Sequence, residues 1–290
     1  MIEQVANVEQ FLYHYTTADT AINYILKSRR LRFGAYTNTN DPKEAKTWQF
    51  DLGTNENRNL GAYKMTETSA WLSNLLKDRA RLLCFSMDRA PLTGVHIRDI
   101  FNRGFSKPRM WTQYAGRHTG VCLVFDRARI TSAISRQISG SNRVLAGAVE
   151  YIDRPVLGSS DANWQFMINI DALEDLGAER YAELNLERAH KRLFFEKMTD
   201  WRDECEWRWV AFVSSDQDLY VAYGDALIGV MFGEETSETS IQDMMDMTES
   251  WGLRYMGLRW KNCSPWYDYG NLRYTPGIKD SPWGKTIKRI

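Results

Sequence analysis

The chain has 290 residues, 43% hydrophobic and 13% aromatic, enough apolar side chain to bury a substantial core and too much for a disordered segment. Its 37 basic and 37 acidic residues cancel, which sets aside a uniformly basic nucleic-acid binder. No apolar run approaches the roughly 20 residues that cross a bilayer. Met1-Ile2-Glu3-Gln4 shows no basic region ahead of an apolar core, so no signal peptide is read there. Cys84, Cys122, Cys205 and Cys263 lie far apart with no metal or redox spacing and read as small core residues rather than disulfide partners. The expectation is a cytoplasmic protein with no membrane partner and no bound metal.

Phe11-Leu12-Tyr13-His14-Tyr15-Thr16 is a strand by pattern. Alternation places Leu12, His14 and Thr16 on one face and Phe11, Tyr13 and Tyr15 on the other. Thr17 is an N-cap for a following helix with Asp19 in its first turn. Leu31-Arg32-Phe33 is a second strand, and Thr37-Asn38-Thr39-Asn40-Asp41-Pro42 is a turn by composition, with Pro42 opening a short helix through Glu44 toward Trp48. Residues 51–64 read as a loop and Thr66 to Asp78 as a helix. Arg81–Ser86 is a buried strand, Pro108 opens a helix bearing Met110, Trp111 and Tyr114, and Gly120–Phe125 is another apolar strand.

Ala128 to Ile138 has helical spacing, Arg143 to Ile152 returns to strand, and 153–163 is a loop. A long amphipathic helix is predicted from Glu179 to Met198, with Ala182, Leu186, Ala189 and Leu193 on its apolar stripe. The run Trp201 to Val213 ends in a strong strand on which Glu206 and Arg208 share one face and Trp207 and Trp209 the other. Strands at Leu219–Tyr223 and Leu227–Phe232, a helix from Glu238 to Trp251 and a strand at Leu253–Trp260 complete the pattern. Strands and helices in this order indicate an α+β fold with a mainly antiparallel sheet and helices beside it.

Charge is uneven. From Leu253 to Ile290 eight residues are basic and two acidic, interleaved with Tyr255, Trp260, Trp266, Tyr267, Tyr269, Tyr274 and Trp283. Such a stretch either binds a nucleic-acid strand by phosphate contact and stacking or packs its aromatics on the body with its charges in water. The chain is divided accordingly into a domain at 1–252 and a basic, aromatic-rich extension at 253–290 packed on it.

No glycine-rich phosphate loop and no dinucleotide fingerprint occurs, and the histidines do not cluster as metal ligands. Two features carry chemistry. His14 is either a strand histidine satisfied by a neighbour or a hydrogen-bonding group aimed into a cleft with Thr16. Glu204 and Glu206 are spaced i,i+2 at a strand entrance. They are either half of a solvent ion pair with Arg208 on an edge strand, or carboxylates held in a cleft, able to grip a sugar hydroxyl and to stabilise positive charge on a ribose ring.

The ordered set Leu12-Tyr13-His14-Tyr15-Thr16, Leu31-Arg32-Phe33, Asn40-Asp41-Pro42-x-Glu44, Cys84-Phe85-Ser86, Met110-Trp111-x-x-Tyr114-Ala115, Gly120-Val121-Cys122-x-x-Phe125 and Lys197-x-x-x-Trp201-x-x-Glu204-x-Glu206-Trp207-Arg208 resembles the family called domain of unknown function twenty-nine seventy-one. That family is in turn similar in layout to ADP-ribosyltransferases. The resemblance implies a split, mainly antiparallel sheet with NAD as substrate in its cleft. It implies that His14 bonds the adenosine-side ribose, with Tyr15 beside it and Thr16 in support, that Tyr36 or Tyr114 stacks on nicotinamide, and that Ser86 takes the middle-strand position. Glu206 is implied as the catalytic carboxylate at the nicotinamide ribose, and Glu204 as the group that positions an acceptor. The implied activity is ADP-ribosyl transfer to a nucleic acid or protein, or NAD hydrolysis, by a bacterial toxin or anti-phage effector with an antitoxin or regulator as partner. The alternative is an inactive fold relative that binds a nucleotide or nucleic acid. The NAD reading requires His14 and Glu206 to open onto one cleft.

Overall fold

A computed structural model describes residues 2–138, 143–154, 164–213 and 218–268. Fourteen strands are formed among them: β1 Phe11–Thr16, β2 Arg30–Ala35, β3 Asp51–Gly53, β4 Ala80–Met87, β5 Val121–Asp126, β6 Arg143–Ala148, β7 Glu150–Tyr151, β8 Met167–Asn169, β9 Glu196–Lys197, β10 Glu206–Phe212, β11 Leu219–Ala222, β12 Leu227–Phe232, β13 Arg254–Lys261 and β14 Ser264–Asp268. Ten of these join one sheet, ordered β11-β2-β4-β1-β5-β12-β13-β14 with β10 on β4 and β6 on β10. Every pairing in it is antiparallel except β12 with β13. The mixed α/β architecture with a mainly antiparallel sheet is as the strand pattern requires.

The sheet forks at β4. One edge of β4 is covered by β10 from Ala80 to Ser86. The other edge is shared: β1 takes Ser86 and Met87, and β2 takes Arg81 and Leu82. Between them, at Leu83, Cys84 and Phe85, neither strand pairs with that edge. A strand has only two edges, so β1 and β2 must diverge there, each leading its own arm of the sheet.

One face of the sheet carries a single apolar cluster, with Leu12, Phe85, Phe125 and Trp209 packed under Ile130 and Ile134 of the helix Arg127–Gln137 and Met244 and Met245 of the helix Glu238–Thr248. The opposite face carries two. Leu82 and Val210 pack on the helices Met65–Asp78 and Ala178–Phe194. Tyr13, Tyr15, Cys122 and Val124 pack on the helix Pro108–Tyr114. Between those two clusters runs the polar row Ser86, Glu206 and Arg208, so the core itself is interrupted where the fork opens.

Local rules account for the elements. Thr17 Oγ1 accepts from the Thr20 amide and starts the helical segment after β1, Asp126 caps the helix Arg127–Gln137 through the Arg129 amide, and Pro42 occupies the first turn of the helix Pro42–Ala45. Three expectations are corrected. The long helix stops at Phe194 rather than Met198, because Glu196 and Lys197 pair in parallel with Glu150 and Tyr151. Residues 51–64 include β3, paired in parallel with β8. The Glu206–Arg208 strand is interior, not an edge, with β4 on one side and β6 on the other. β13, at the start of the basic extension, is hydrogen-bonded to β12 in the main sheet. Residues 269–290, with most of the extension's charge, lie outside the described residues. No helix among the described residues is long and apolar enough to cross a membrane.

Trp209 is among the largest fully buried side chains and sits on the interior strand that both arms rely on. Trp209→Ala is expected to cost about 3–5 kcal/mol, read as a lowered urea midpoint at unchanged m-value.

Candidate functional site

The fork leaves backbone groups of β4 without a strand to meet them, and buried backbone polar groups require partners. The Cys84 carbonyl finds one in His14, whose Nδ1 donates to it at 3.0 Å. A carbonyl can only accept, so Nδ1 carries the proton. Burial lowers the His14 pKa, against the smaller opposing effect of the Cys84 bond. The ring is therefore neutral near pH 7 and its Nε2 is an acceptor. By pleat His14 belongs with Leu12, on the face opposite Tyr13. In register, Tyr13 pairs with Ser86 and Ser86 with Glu206, so those three share the other face. The fork removes the barrier between faces: His14 and Glu206 line one cavity of about 470 Å3.

An ion cluster forms its floor. Arg208 donates Nε and Nη2 to the two oxygens of Glu206 at 2.6 and 2.7 Å, and Nη1 to Glu44 Oε1 at 2.6 Å and to the Phe194 carbonyl at 2.9 Å. Lys197 Nζ lies 2.9 Å from Glu206 Oε2 and donates to Glu204 Oε2 at 2.8 Å. The Tyr114 hydroxyl donates to Glu204 Oε1 at 2.8 Å. All five charged groups are buried. Burial pushes the Glu206 carboxyl up, but Arg208 and Lys197 outweigh it and hold it well below the usual carboxylate range. Burial likewise opposes charge on Lys197, and Glu206, Glu44 and Glu204 overcome it, raising the ammonium pKa. Glu206, Lys197 and Arg208 thus keep one another ionised in a medium that disfavours each of them alone.

Glu204 and Glu206 reach the same lysine by a route the strand pattern does not contain. Glu204 ends a 3-10 turn spanning Thr199–Glu204, and Cys205 is left-handed with φ 45°. The turn, not the pleat, brings the two carboxylates to one side. The Cys205 carbonyl meets the Met87 amide at 2.8 Å, which fixes this turn to the end of β4.

The lining beside this cluster is incompletely bonded. Thr39 Oγ1, Asp41 Oδ2, Glu44 Oε2 and Ser86 Oγ are buried with no partner among the described residues, and all four residues line the cavity. Leaving such a group unmet costs about 1–3 kcal/mol each, and four around one space mark it as a place for a polar ligand. Burial raises the Asp41 pKa, the Lys43 amide opposing. At the fork a second cavity of about 720 Å3 adjoins the first, sharing His14, Arg32 and Gly34 and adding Arg30. Neither Arg30 nor Arg32 is paired with a carboxylate among the described residues. One end of the combined space is cationic and the other anionic.

Of the residues singled out in the sequence, His14, Tyr15, Ser86, Tyr114, Glu204 and Glu206 line the first cavity. The Tyr15 hydroxyl donates to the Gly104 carbonyl at 2.6 Å. Thr16 and Tyr36 are corrected. Thr16 is buried opposite Val121 and does not line the space. Tyr36 is a core residue: its hydroxyl donates to the Leu193 carbonyl at 3.0 Å and its ring is enclosed by Trp48 and Phe194, which leaves no face for a ligand. Residues not singled out as site residues are Lys197, Arg208, Asp41 and Glu44. For Asp41 and Glu44 the local signal is the Asp-Pro-x-Glu start of a one-turn helix, which composition alone reads as a turn; for Lys197 and Arg208 it is the motif they share with Glu204 and Glu206.

Residues 110–209 match the family model described as Protein of unknown function (DUF2971). The matched stretch includes Tyr114, Lys197, Glu204, Glu206 and Arg208, while His14, Asp41, Glu44 and Ser86 precede it. No curated protein and no solved structure matches the chain.

Arg208→Met leaves Glu206 and Glu44 buried without their main cation and is expected to cost about 3–5 kcal/mol, measured by urea unfolding. Stability should also fall with acid in two stages. The unfolded chain protonates His14 as pH drops below 6.5, while the folded ring, its pKa lowered, resists. The contribution of Glu206, whose folded pKa is depressed, is present above its ordinary value of 4.5 and is lost as pH falls below that. Urea midpoints collected across pH check both stages, and His14→Gln should shrink the upper one, leaving the part due to His118, whose pKa burial also lowers.

Proposed function

We propose that the fork is the site of an NAD-dependent ADP-ribosyltransferase, with a macromolecule as acceptor, or of the related hydrolysis of NAD. The observation that carries this reading is the polarity of one continuous cleft, with two unpaired arginines at one end, an excess of carboxylates at the other, and His14 between. A dinucleotide matches that order. Its diphosphate is anionic and suits Arg30 and Arg32, and its oxidised nicotinamide is cationic and suits the acidic end. His14 Nε2 accepts a hydroxyl of the adenosine-side ribose, and Tyr114, beside Glu204, flanks the nicotinamide end. A mainly antiparallel sheet that splits at a middle strand is also the arrangement the ADP-ribosyltransferase resemblance implies.

In the reaction the bond from ribose C1′ to the nicotinamide nitrogen breaks. Its electron pair goes to that nitrogen and neutralises the pyridinium, leaving positive charge on C1′ and the ring oxygen. The acceptor oxygen or nitrogen then bonds C1′ and releases its proton to water. The buried carboxylates supply a fixed negative field where the charge develops, and exclusion of water strengthens it. In this role Glu206 anchors the field and Glu204 faces the acceptor. The role as a bacterial toxin or anti-phage effector rests on the ADP-ribosyltransferase resemblance.

One observation favours a second reading, a catalytically inactive nucleotide binder. Both Glu206 oxygens are already engaged, by Arg208 and by Lys197.

The test is nicotinamide release from NAD by the full chain, alone and with cell extract as acceptor source. Glu206→Gln should lower kcat by roughly 100- to 1000-fold and abolish growth arrest on expression. Arg32→Ala should raise KM by about tenfold with kcat kept. Binding of NAD without release under any of these conditions makes the protein a binder and ends the enzymatic reading.

A further inference from the structure

The carboxylate that the sequence pattern brings forward is Glu206, yet its geometry is that of an anchor. Arg208 holds both of its oxygens and Lys197 takes a second bond on one of them. Glu44 differs. It is 1% exposed, its Oε1 accepts from Arg208 at 2.6 Å, and its Oε2 has no partner among the described residues while the residue lines the cavity. The Pro42–Ala45 turn puts it there. Asp41 Oδ1 caps the turn through the Lys43 amide at 2.9 Å, which leaves Asp41 Oδ2, also unpartnered, on the same wall. Ser86 Oγ, on β4, is a third such atom lining the same cavity.

Charge points the same way. Three carboxylates, those of Glu44, Glu204 and Glu206, share the two cations Lys197 and Arg208. Glu206 is bonded by both cations, while Glu204 has one from Lys197 and Glu44 one from Arg208, so the cluster holds one more carboxylate than cation, and of the three only Glu44, next to Asp41, keeps an oxygen without a partner among the described residues. A site so arranged accepts hydrogen bonds from vicinal hydroxyls and favours a ligand that is positively charged beside them.

Resting on the proposed NAD chemistry, we propose that Glu44, rather than Glu206, is the carboxylate that touches substrate: its free oxygen accepts a hydroxyl of the ribose bearing a cationic N-glycosidic base, with Asp41 and Ser86 completing the hydroxyl-binding wall. Glu206 is then a positioning residue that holds Arg208 and Lys197, which in turn orient Glu44 and Glu204. The ligand class is a pentose N-glycoside of a quaternised heteroaromatic base. Its uncharged, reduced counterpart binds less well.

The experiment uses the full chain with NAD and NADH as probes, which differ in the charge of the base. Wild type should bind NAD at least tenfold more tightly than NADH by calorimetry. Glu44→Gln keeps an oxygen for Arg208 and should hold its Tm within a few degrees. It should bind the two alike and lose about 100-fold in kcat for nicotinamide release. Should Glu44→Gln fail to fold, Asp41→Asn, which keeps the capping oxygen, reads the same wall and should lower the NAD-to-NADH ratio severalfold. Wild-type selectivity and kcat in a folded Glu44→Gln, with Glu206→Gln inactive, overturns the assignment to Glu44 and leaves the NAD reading standing. A wild type that neither binds nor cleaves NAD overturns that reading and this inference together.

Discussion

The buried ion cluster around Arg208 is the constraint on which the rest of the site depends. A guanidinium that is 1% exposed is tolerable only if every face of it is met, and here two carboxylates and a main-chain carbonyl meet it from three parts of the chain: Glu206 on its own strand, Glu44 from the turn after β2, and Phe194 at the end of the long helix. The cluster therefore dictates where that helix stops and how the Asp41–Glu44 turn lies. It also explains why the apolar core is divided on this face. A polar row that must remain ionised cannot be covered by leucines, so Leu82 and Val210 pack to one side of it and Tyr13 and Tyr15 to the other.

The fork is the second determinant, and it follows from β4 having one edge and two claimants. Pairing with β1 at Ser86 and with β2 at Leu82 leaves a gap in the ladder. His14 fills the gap in hydrogen-bonding terms without filling it sterically. Its Nδ1 takes the orphan carbonyl and its Nε2 stays available. A histidine does this where a lysine cannot, because one planar ring offers a donor to the backbone and an acceptor to a ligand, whereas an ammonium only donates. The strand histidine satisfied by a neighbour and the histidine open to a cleft, opposed as readings of the sequence, are the same residue seen from its two nitrogens.

Behind the cavity, a separate network keeps β1 in place. Asp88 accepts from the Tyr13 hydroxyl, from Arg103 and from the Gly104 amide, and a side chain at position 104 would strike the Tyr13 ring. The segment after β4 is thereby held against the strand that carries His14. The two sides of the fork are stiffened by different means, the Asp88 network on one and the Arg208 cluster on the other. A ligand entering the space meets positions fixed in advance, which is what recognition by a few convergent polar groups requires.

Much of the fold was legible in the sequence. Alternation marked β1 and β10, apolar runs marked β4 and β5, and the capping residue Thr17 marked where a helix begins, because those signals are local and their physics is local. His14, Ser86, Tyr114 and the Glu204–Glu206 pair were legible as residues of interest. Their relation was not, since nothing in a chain states that β1 and β2 will share one edge of β4. The αL turn at Cys205, the interior position of β10 and the enclosure of Tyr36 by Trp48 and Phe194 depend on partners far away in sequence. The same holds for how the buried carboxylates are bonded. Sequence pattern brings forward Glu206, spaced i,i+2 from Glu204 at a strand entrance. Only the tertiary structure brings Arg208 and Lys197 to saturate it and leaves an oxygen of Glu44 unmet, because the supply of hydrogen-bond partners to a buried carboxylate is decided by packing and not by its neighbours along the chain.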